Sequence, residues 1–413
     1  MSSEPHTRPP LTVSLISGFV GAGKTSLIKQ LLRQAGERHV AVIVNDQIVE
    51  DLEQLDAAPA PQAVALPPSE SWIPLTQGCL CCSLRTELIS AVQRLASEGR
   101  HAYLLIEAAG ASAPQPLAEL FSFPDERGDS LSEVAHLDTL ITVVDAESFL
   151  DDWQSEDELA DRKLRLEHDE HRSVSDLLAE QIEFANVIVL AKVDRVSETD
   201  ASRIEALLHQ LNPEARVLRA EHGAVPIEAI LGTEAFDFEE TEQAAGWIAA
   251  LRGEPVPPDE EHGLGSFVYR ARVPFHPQRL WDLIGDANTW DGVLRSKGFF
   301  WLASRMSVTG LWSHAGGSAA CEGMGLWYVE LPESEWPEDE EDRELIREDF
   351  EEPWGDRRQE LVFLGADLDE ARLREQLDAA LLTEEELALG PDAWASWEDP
   401  FPDWSGHEPA PSD

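Results

Sequence analysis

The stretch LTVSLISGFVGAGKT, Leu11 to Thr25, decides the fold. Its first seven residues form a short apolar and β-branched run, the pattern of a strand. Gly18 to Thr25 then fit G-x-x-x-x-G-K-[ST], and TSLIKQLLRQAG, residues 25–36, has helical spacing with a glycine at its end. Strand, glycine-rich loop and helix in that order make a phosphate-binding loop. Gly18, Gly21 and Gly23, with Ala22 between the last two, let backbone N–H groups approach phosphates, and the helix N-terminus adds favourable dipole charge. Lys24 reaches toward the β and γ phosphates, Thr25 offers its hydroxyl to Mg²⁺, and Ser26 completes the nucleotide-binding run.

Outward from this loop the alternation continues. Strand patterns at 39–46, 102–110, 137–146, 186–194 and 215–221 are interleaved with helical ones at 84–99, 174–185 and 200–213. Near-continuous apolar strands between amphipathic helices imply a largely parallel, doubly wound α/β sheet, the P-loop NTPase class, over residues 11–248. A Pro- and acid-rich linker, 249–263, leads to a smaller α+β domain over 264–388. Residues 1–10 are expected to be disordered. The tail 389–413 holds too much Pro and acid for a packed element, although its tryptophans suit docking on a neighbouring surface.

Composition sets the class. At 413 residues the chain is long enough for two cores, and 43% hydrophobic content fills them. The net charge of -49 repels nucleic-acid phosphates and anionic lipid, so neither is expected as a partner. No apolar run spans a bilayer and MSSEPHTRPP lacks a secretory pattern, so the expected location is cytoplasmic. Four cysteines do not make a disulfide framework in a chain this long.

Phosphoryl transfer needs a carboxylate near the metal and a group that positions water. Asp46, Glu107 and Asp145 stand at strand ends, where an α/β sheet presents its ligand groups. Asp46 and Glu107 suit a Mg²⁺ or water role, and capping suits Asp145 at least as well. Gly110 is placed to bring a backbone N–H to a γ-phosphate. VIVLAKVD, 187–194, resembles a guanine loop: the Asp194 carboxylate accepts from guanine N1 and N2, the Lys192 stem packs on the ring, and adenine lacks the matching donors.

QGCLCCSLR, residues 77–85, holds three of the four cysteines. Cys79, Cys81 and Cys82 read either as an inert cluster or as a soft-metal site of thiolates. Three thiolates leave one zinc position for a water, an acidic side chain or a recipient's ligand, which suits a transferable rather than a purely structural ion. His168 and His171 in EHDEH, and His262, His276 and His314 further on, are weaker candidates. Cys321 reads as packing.

A phosphate loop followed by G-C-x-C-C, E-x-x-G and x-K-x-D resembles the CobW-type family of metal-handling GTPases, relatives of those that deliver nickel to urease and hydrogenase. The resemblance runs through LLIEAAGASAPQPLAELFSF, LDTLITVVDAESFL and LLAEQIEFANVIVLAKVD in the first domain, and GSFVYRARVPFHP, RSKGFFWLASR and GDRRQELVFLG in the second. The latter look most like the subgroup associated with zinc limitation. Ala191 stands where the family usually has Asn, EAAG replaces a hydroxyl-bearing E-[ST]-[ST]-G, and the segment after Asn45 differs from the usual switch.

The resemblance implies a slow GTPase using GTP and Mg²⁺, with Zn²⁺ on Cys79, Cys81 and Cys82 passed to a client metalloprotein. Co²⁺ is the alternative cargo, for an insertase of cobalt or iron. A non-hydrolysing nucleotide-gated zinc store or sensor is the alternative of another class. A homodimer is compatible with each.

Overall fold

The computed structural model describes residues 9–45, 72–75, 85–124, 130–164, 172–253, 262–337 and 339–404. The chain divides into two compact units, Met1–Gly246 and Trp247–Asp413. In the first, strands β1 (Leu11–Ser17), β2 (Val40–Asn45), β3 (Trp72–Leu75), β4 (Tyr103–Glu107), β5 (Ala135–Asp145), β6 (Val187–Ala191) and β7 (Arg216–Ala220) form one sheet. Its order is β3-β2-β4-β1-β5-β6-β7 and every pairing is parallel. Helices α1 (Lys24–Ala35), α2 (Arg85–Glu98), α3 (Gln115–Ser122), α4 (Phe149–Trp153), α5 (Val174–Glu183) and α6 (Glu198–Leu211) connect them.

Helix α1 shows why these residues fold as they do. Besides Lys24 its buried positions are Leu27, Ile28, Leu31, Leu32 and Ala35, a spacing of three and four that makes one apolar stripe. That stripe packs on Ile16, Val42, Val44, Leu105, Ile141, Val143, Val187 and Val189 of one sheet face. The alternating residues Leu15, Ile43, Leu104, Ile106 and Leu140 are buried as well, so the sheet is covered on both faces, as a parallel sheet requires.

Register places the functional ends side by side. Ile16 of β1 pairs with Glu107 of β4, Asp145 of β5 with Ala191 of β6, and Ala191 in turn with Ala220 of β7. The direction of strand order reverses across β1, so the phosphate loop leaves the sheet at its topological switch point.

Two short helices, α7 (Phe238–Glu242) and α8 (Gly246–Leu251), lead to the second unit. There β8 (Leu264–Ala271), β9 (Val293–Phe300), β10 (Val308–Ala315), β11 (Ser318–Leu326) and β12 (Gln359–Ala366) form an antiparallel sheet of order β11-β10-β9-β12-β8. The helices are α9 (Pro277–Ile284), α10 (Glu340–Glu348), α11 (Glu370–Ala380), α12 (Glu384–Leu387) and α13 (Pro391–Trp394). Phe267, Tyr269, Phe300, Trp312 and Phe363 face Leu280, Leu373 and Leu377 in its core. Trp247 and Ala250 of α8 pack with Val362 and Leu364.

Three elements correct the sequence reading. Strand β3 escaped it because four residues containing Pro74 give little periodic signal, and an edge strand tolerates proline. The β10–β11 hairpin escaped because Gly310, Gly323 and Gly325 dilute its β pattern; its Gly316–Gly317 turn, with Gly316 at φ 53, was the available sign. The tail, expected to hold no packed element, is ordered through Trp404: α13 forms and Trp394, Phe401 and Trp404 are buried. Arg305 binds Asp399 and lies 4.1 Å over the Trp404 ring, so an arginine anchors the acidic segment.

Candidate functional site

The site begins where β1 ends. Gly18 has φ 129, and a Cβ there would lie 2.3 Å from Val143 O, so the turn into the loop requires glycine. Gly21 (φ 79) and Gly23 (φ 109) also take conformations that L side chains rarely adopt, and Gly23 caps α1. Ala22 is buried, with its N–H on Phe19 O at 3.2 Å. Lys24, only 7% exposed, turns back and donates from Nζ to Gly18 O at 2.7 Å and Phe19 O at 3.0 Å. Burial lowers its pKa to about 8, against the nearby Glu107 charge.

Glu107 ends β4 and is 3% exposed. Thr25 Oγ1 donates to its Oε1 at 3.4 Å, while Oε2 is buried without a hydrogen-bond partner among the described residues. Burial raises the Glu107 pKa, opposed by Lys24. An orphaned buried carboxylate oxygen beside a hydroxyl is the donor set that a hard cation prefers, so these residues fit Mg²⁺. Gly110 follows, tucked under the phosphate loop. Its carbonyl accepts from Gln181 Nε2 at 3.3 Å, as does that of Ser112 at 3.0 Å.

The base turn lies on the other flank. Lys192 is left-handed (φ 59) and Asp194 sits in a short 3₁₀ turn, Val193–Arg195. Lys192 Nζ donates to Gly21 O at 3.0 Å and to Asp145 Oδ2 at 2.5 Å. Asp145 is therefore an ion-pair partner as well as a cap for Glu147 N, its Oδ1 accepting at 3.0 Å. The Asp194 carboxylate, 23% exposed, accepts from His222 N at 3.3 Å.

The His222–Gly223 turn after β7 braces the base turn against α1. Gly223 (φ 74) approaches Ser26 of α1, its would-be Cβ 3.2 Å from Ser26 C, and Gln30 Nε2 donates to His222 O at 3.3 Å. A glycine three residues past the end of β7 is the local mark of this turn.

Lys24, Thr25 and Glu107 are thus brought together around the phosphate loop, and Lys192 and Asp194 lie beyond it. Asp46, Cys79, Cys81 and Cys82, with His168 and His171, lie outside the described residues. Among those that are described, no group of three or more His, Cys, Asp or Glu is arranged to hold a metal ion. His276 caps α9, its Nδ1 accepting from Gln278 N at 3.2 Å. His314 is buried in the second unit, and Cys321 is a free thiol whose pKa burial pushes up to about 12. No helix among the described residues is long and apolar enough to cross a membrane.

Residues 12–219 match the CobW/HypB/UreG nucleotide-binding domain, and residues 264–381 match the cobalamin synthesis protein cobW C-terminal domain. Zinc-regulated GTPase metalloprotein activator 1 of Dictyostelium discoideum is 40% identical over 403 residues, 95% of this chain and 84% of that protein. The zinc chaperone CobW of Sinorhizobium sp is 30% identical over 54% of this chain and 62% of that one. The Zn(II)-bound YjiA GTPase from E. coli aligns over 91% of this chain and 100% of that chain, at 18% identity and a TM-score of 0.39. The nucleotide-binding match spans half of the chain and the 40% identity runs through both units, so the chain belongs to the CobW/HypB/UreG family of P-loop GTPases.

Proposed function

We propose that this chain binds and hydrolyses GTP with Mg²⁺ and couples that cycle to the handling of zinc, held by Cys79, Cys81 and Cys82 and passed to a client metalloprotein. The observation that carries the nucleotide half is the pairing of Thr25 Oγ1 with Glu107 Oε1 at 3.4 Å beside the unpartnered Oε2. Support for the zinc half comes from the G-C-x-C-C run and from relatives named as a zinc-regulated activator and a zinc chaperone.

In this reading Lys24 exchanges its loop carbonyls for β and γ phosphate oxygens, and backbone N–H groups from Gly21 to Thr25 line the same chain. Ser26 continues that run. Thr25 and Glu107 hold Mg²⁺, which supplies charge neutralisation on the phosphates. Asp46, next after β2, and Glu107 orient the attacking water, and the Gly110 N–H meets the γ-phosphate. Asp194 accepts from guanine N1 and N2 while the Lys192 stem covers the ring. Water attacks the γ-phosphorus and GDP leaves with its β-oxygen charge held by Lys24.

The test has two arms. Lys24→Ala is expected to abolish GTP turnover with the fold intact by circular dichroism; unchanged turnover overturns the site. Zinc and cobalt are titrated anaerobically into reduced protein with Mg²⁺ and either GDP or a nonhydrolysable GTP analogue, alongside Cys81→Ser and Cys82→Ser. Tight cysteine-dependent zinc binding that changes with nucleotide is expected. Cysteine-independent binding, or equal affinity in both nucleotide states, overturns the carrier.

A further inference from the structure

Asp145 and Lys192 tie two loops together. Asp145 ends β5 abreast of Ala191, so its side chain emerges beside the base turn. Glu147 N holds Oδ1 at 3.0 Å, which fixes the rotation of the carboxylate and aims Oδ2 at Lys192 Nζ, 2.5 Å away. The same ammonium reaches Gly21 O at 3.0 Å. Both side chains are largely shielded, so the pair is stronger than an ion pair on an open surface.

The tie matters because of what surrounds it. Lys192 holds φ 59, a conformation that an L residue keeps only when its neighbours over-determine it. Position 191 offers only a methyl group, near Gly23, with no polar atom to bond the loops together. Asp194 is held from the far side by His222 N, whose own carbonyl is tied to Gln30 of α1, while Lys192 holds the near side of the turn on the phosphate loop.

We propose that Asp145 is a positioning residue for base recognition: by holding the Lys192 ammonium on Gly21 O, it sets Asp194 at the separation from the phosphate loop that one guanosine spans. This rests on the reading of Asp194 as the guanine acceptor. Without the Asp145 charge, Lys192 loses its counter-ion, the left-handed turn relaxes, and Asp194 no longer meets N1 and N2 while the phosphates are seated. The loss falls on the choice of base, and phosphate binding is spared.

Asp145→Asn keeps the size of the side chain and the acceptor for Glu147 N while removing the charge. Affinities for GDP and ADP with Mg²⁺ are measured by fluorescent-nucleotide competition, with thermal melting alongside. The variant is expected to bind GDP roughly tenfold more weakly or worse and ADP within about twofold of wild type. Asp145→Glu is expected to restore part of the preference. An unchanged GDP-to-ADP ratio overturns the inference, as does an equal loss for both nucleotides, which marks a purely structural role. Asp194→Asn separates the two readings. If that variant alone loses guanine preference, the guanine reading stands and the positioning role falls. If wild type does not distinguish GDP from ADP, both fall.

Discussion

Gly110 lies directly beneath Val20 of the phosphate loop, so close that a Cβ on it would stand 2.8 Å from Val20 N and 2.7 Å from Val20 Cγ2. The nearer side-chain contact could rotate away, but the backbone nitrogen could not without moving the loop. Overpacking of this kind costs about 1–3 kcal/mol, and here the strain is delivered to the nucleotide site. Gly110→Ala is expected to weaken GDP binding by roughly tenfold with only a small change in melting temperature. Calorimetric titration checks it; wild-type affinity would show that the loop yields freely.

Lys24 is expected to make nucleotide binding depend on pH. Burial lowers its pKa from 10.5 to about 8, so the cost of the buried cation is fully present below pH 8 and is relieved as pH rises from there toward 10.5. Phosphates on the ammonium favour its charged form. Binding then takes up a proton above pH 8, and GDP affinity falls with rising pH, approaching about tenfold per unit. Measurement of GDP affinity from about pH 7.5 to 8.5 spans the onset of the Lys24 transition. Lys24→Arg stays charged and is expected to give a flat profile; the same slope in both proteins would remove Lys24 as the titrating group.

Glu107 acts on the same titration from the other side. Its charge opposes the downward shift of Lys24, while Thr25 touches Oε1 and Oε2 has no hydrogen-bond partner among the described residues. Glu107→Gln is expected to lower Mg²⁺-dependent hydrolysis on the order of a hundredfold, as removal of a group that organises transition-state charge does. It is also expected to move the pH midpoint of GDP affinity below that of wild type. Rate and binding profiles measured together check it; a lost rate with an unmoved midpoint would place Glu107 too far from Lys24 to matter.

In the second unit, stability depends on the C-terminal segment. Trp394 is fully buried, donates from Nε1 to Glu386 O at 2.8 Å and meets the Trp354 ring with centroids 5.8 Å apart. Trp394→Ala leaves a cavity and an unpaired carbonyl, a loss of about 3–5 kcal/mol. Denaturant unfolding is expected to show an early transition for Trp247–Asp413, with GDP affinity unchanged because the nucleotide residues belong to Met1–Gly246. A single unshifted transition would mean that the segment contributes little.

The sequence by itself determined the phosphate loop, the parallel sheet and the x-K-x-D turn, because each is written locally. Glycine positions specify left-handed turns, apolar runs specify buried strands, and a three-four spacing specifies the α1 stripe. The β10–β11 hairpin and the packed tail were hidden for the opposite reason. Glycines and acids argue against structure locally, and what orders them is remote, as when Arg305 captures Asp399 and Trp404.

Only the tertiary structure decided what Glu107 and Asp145 touch. Asp46, Glu107 and Asp145 look alike in the chain. Register then sets Glu107 beside Ile16, under the loop that holds Lys24, and Asp145 beside Ala191, within reach of Lys192. Asp46 lies outside the described residues. A carboxylate's burial and its nearest cation are properties of strand order and register, quantities that no local stretch of sequence carries.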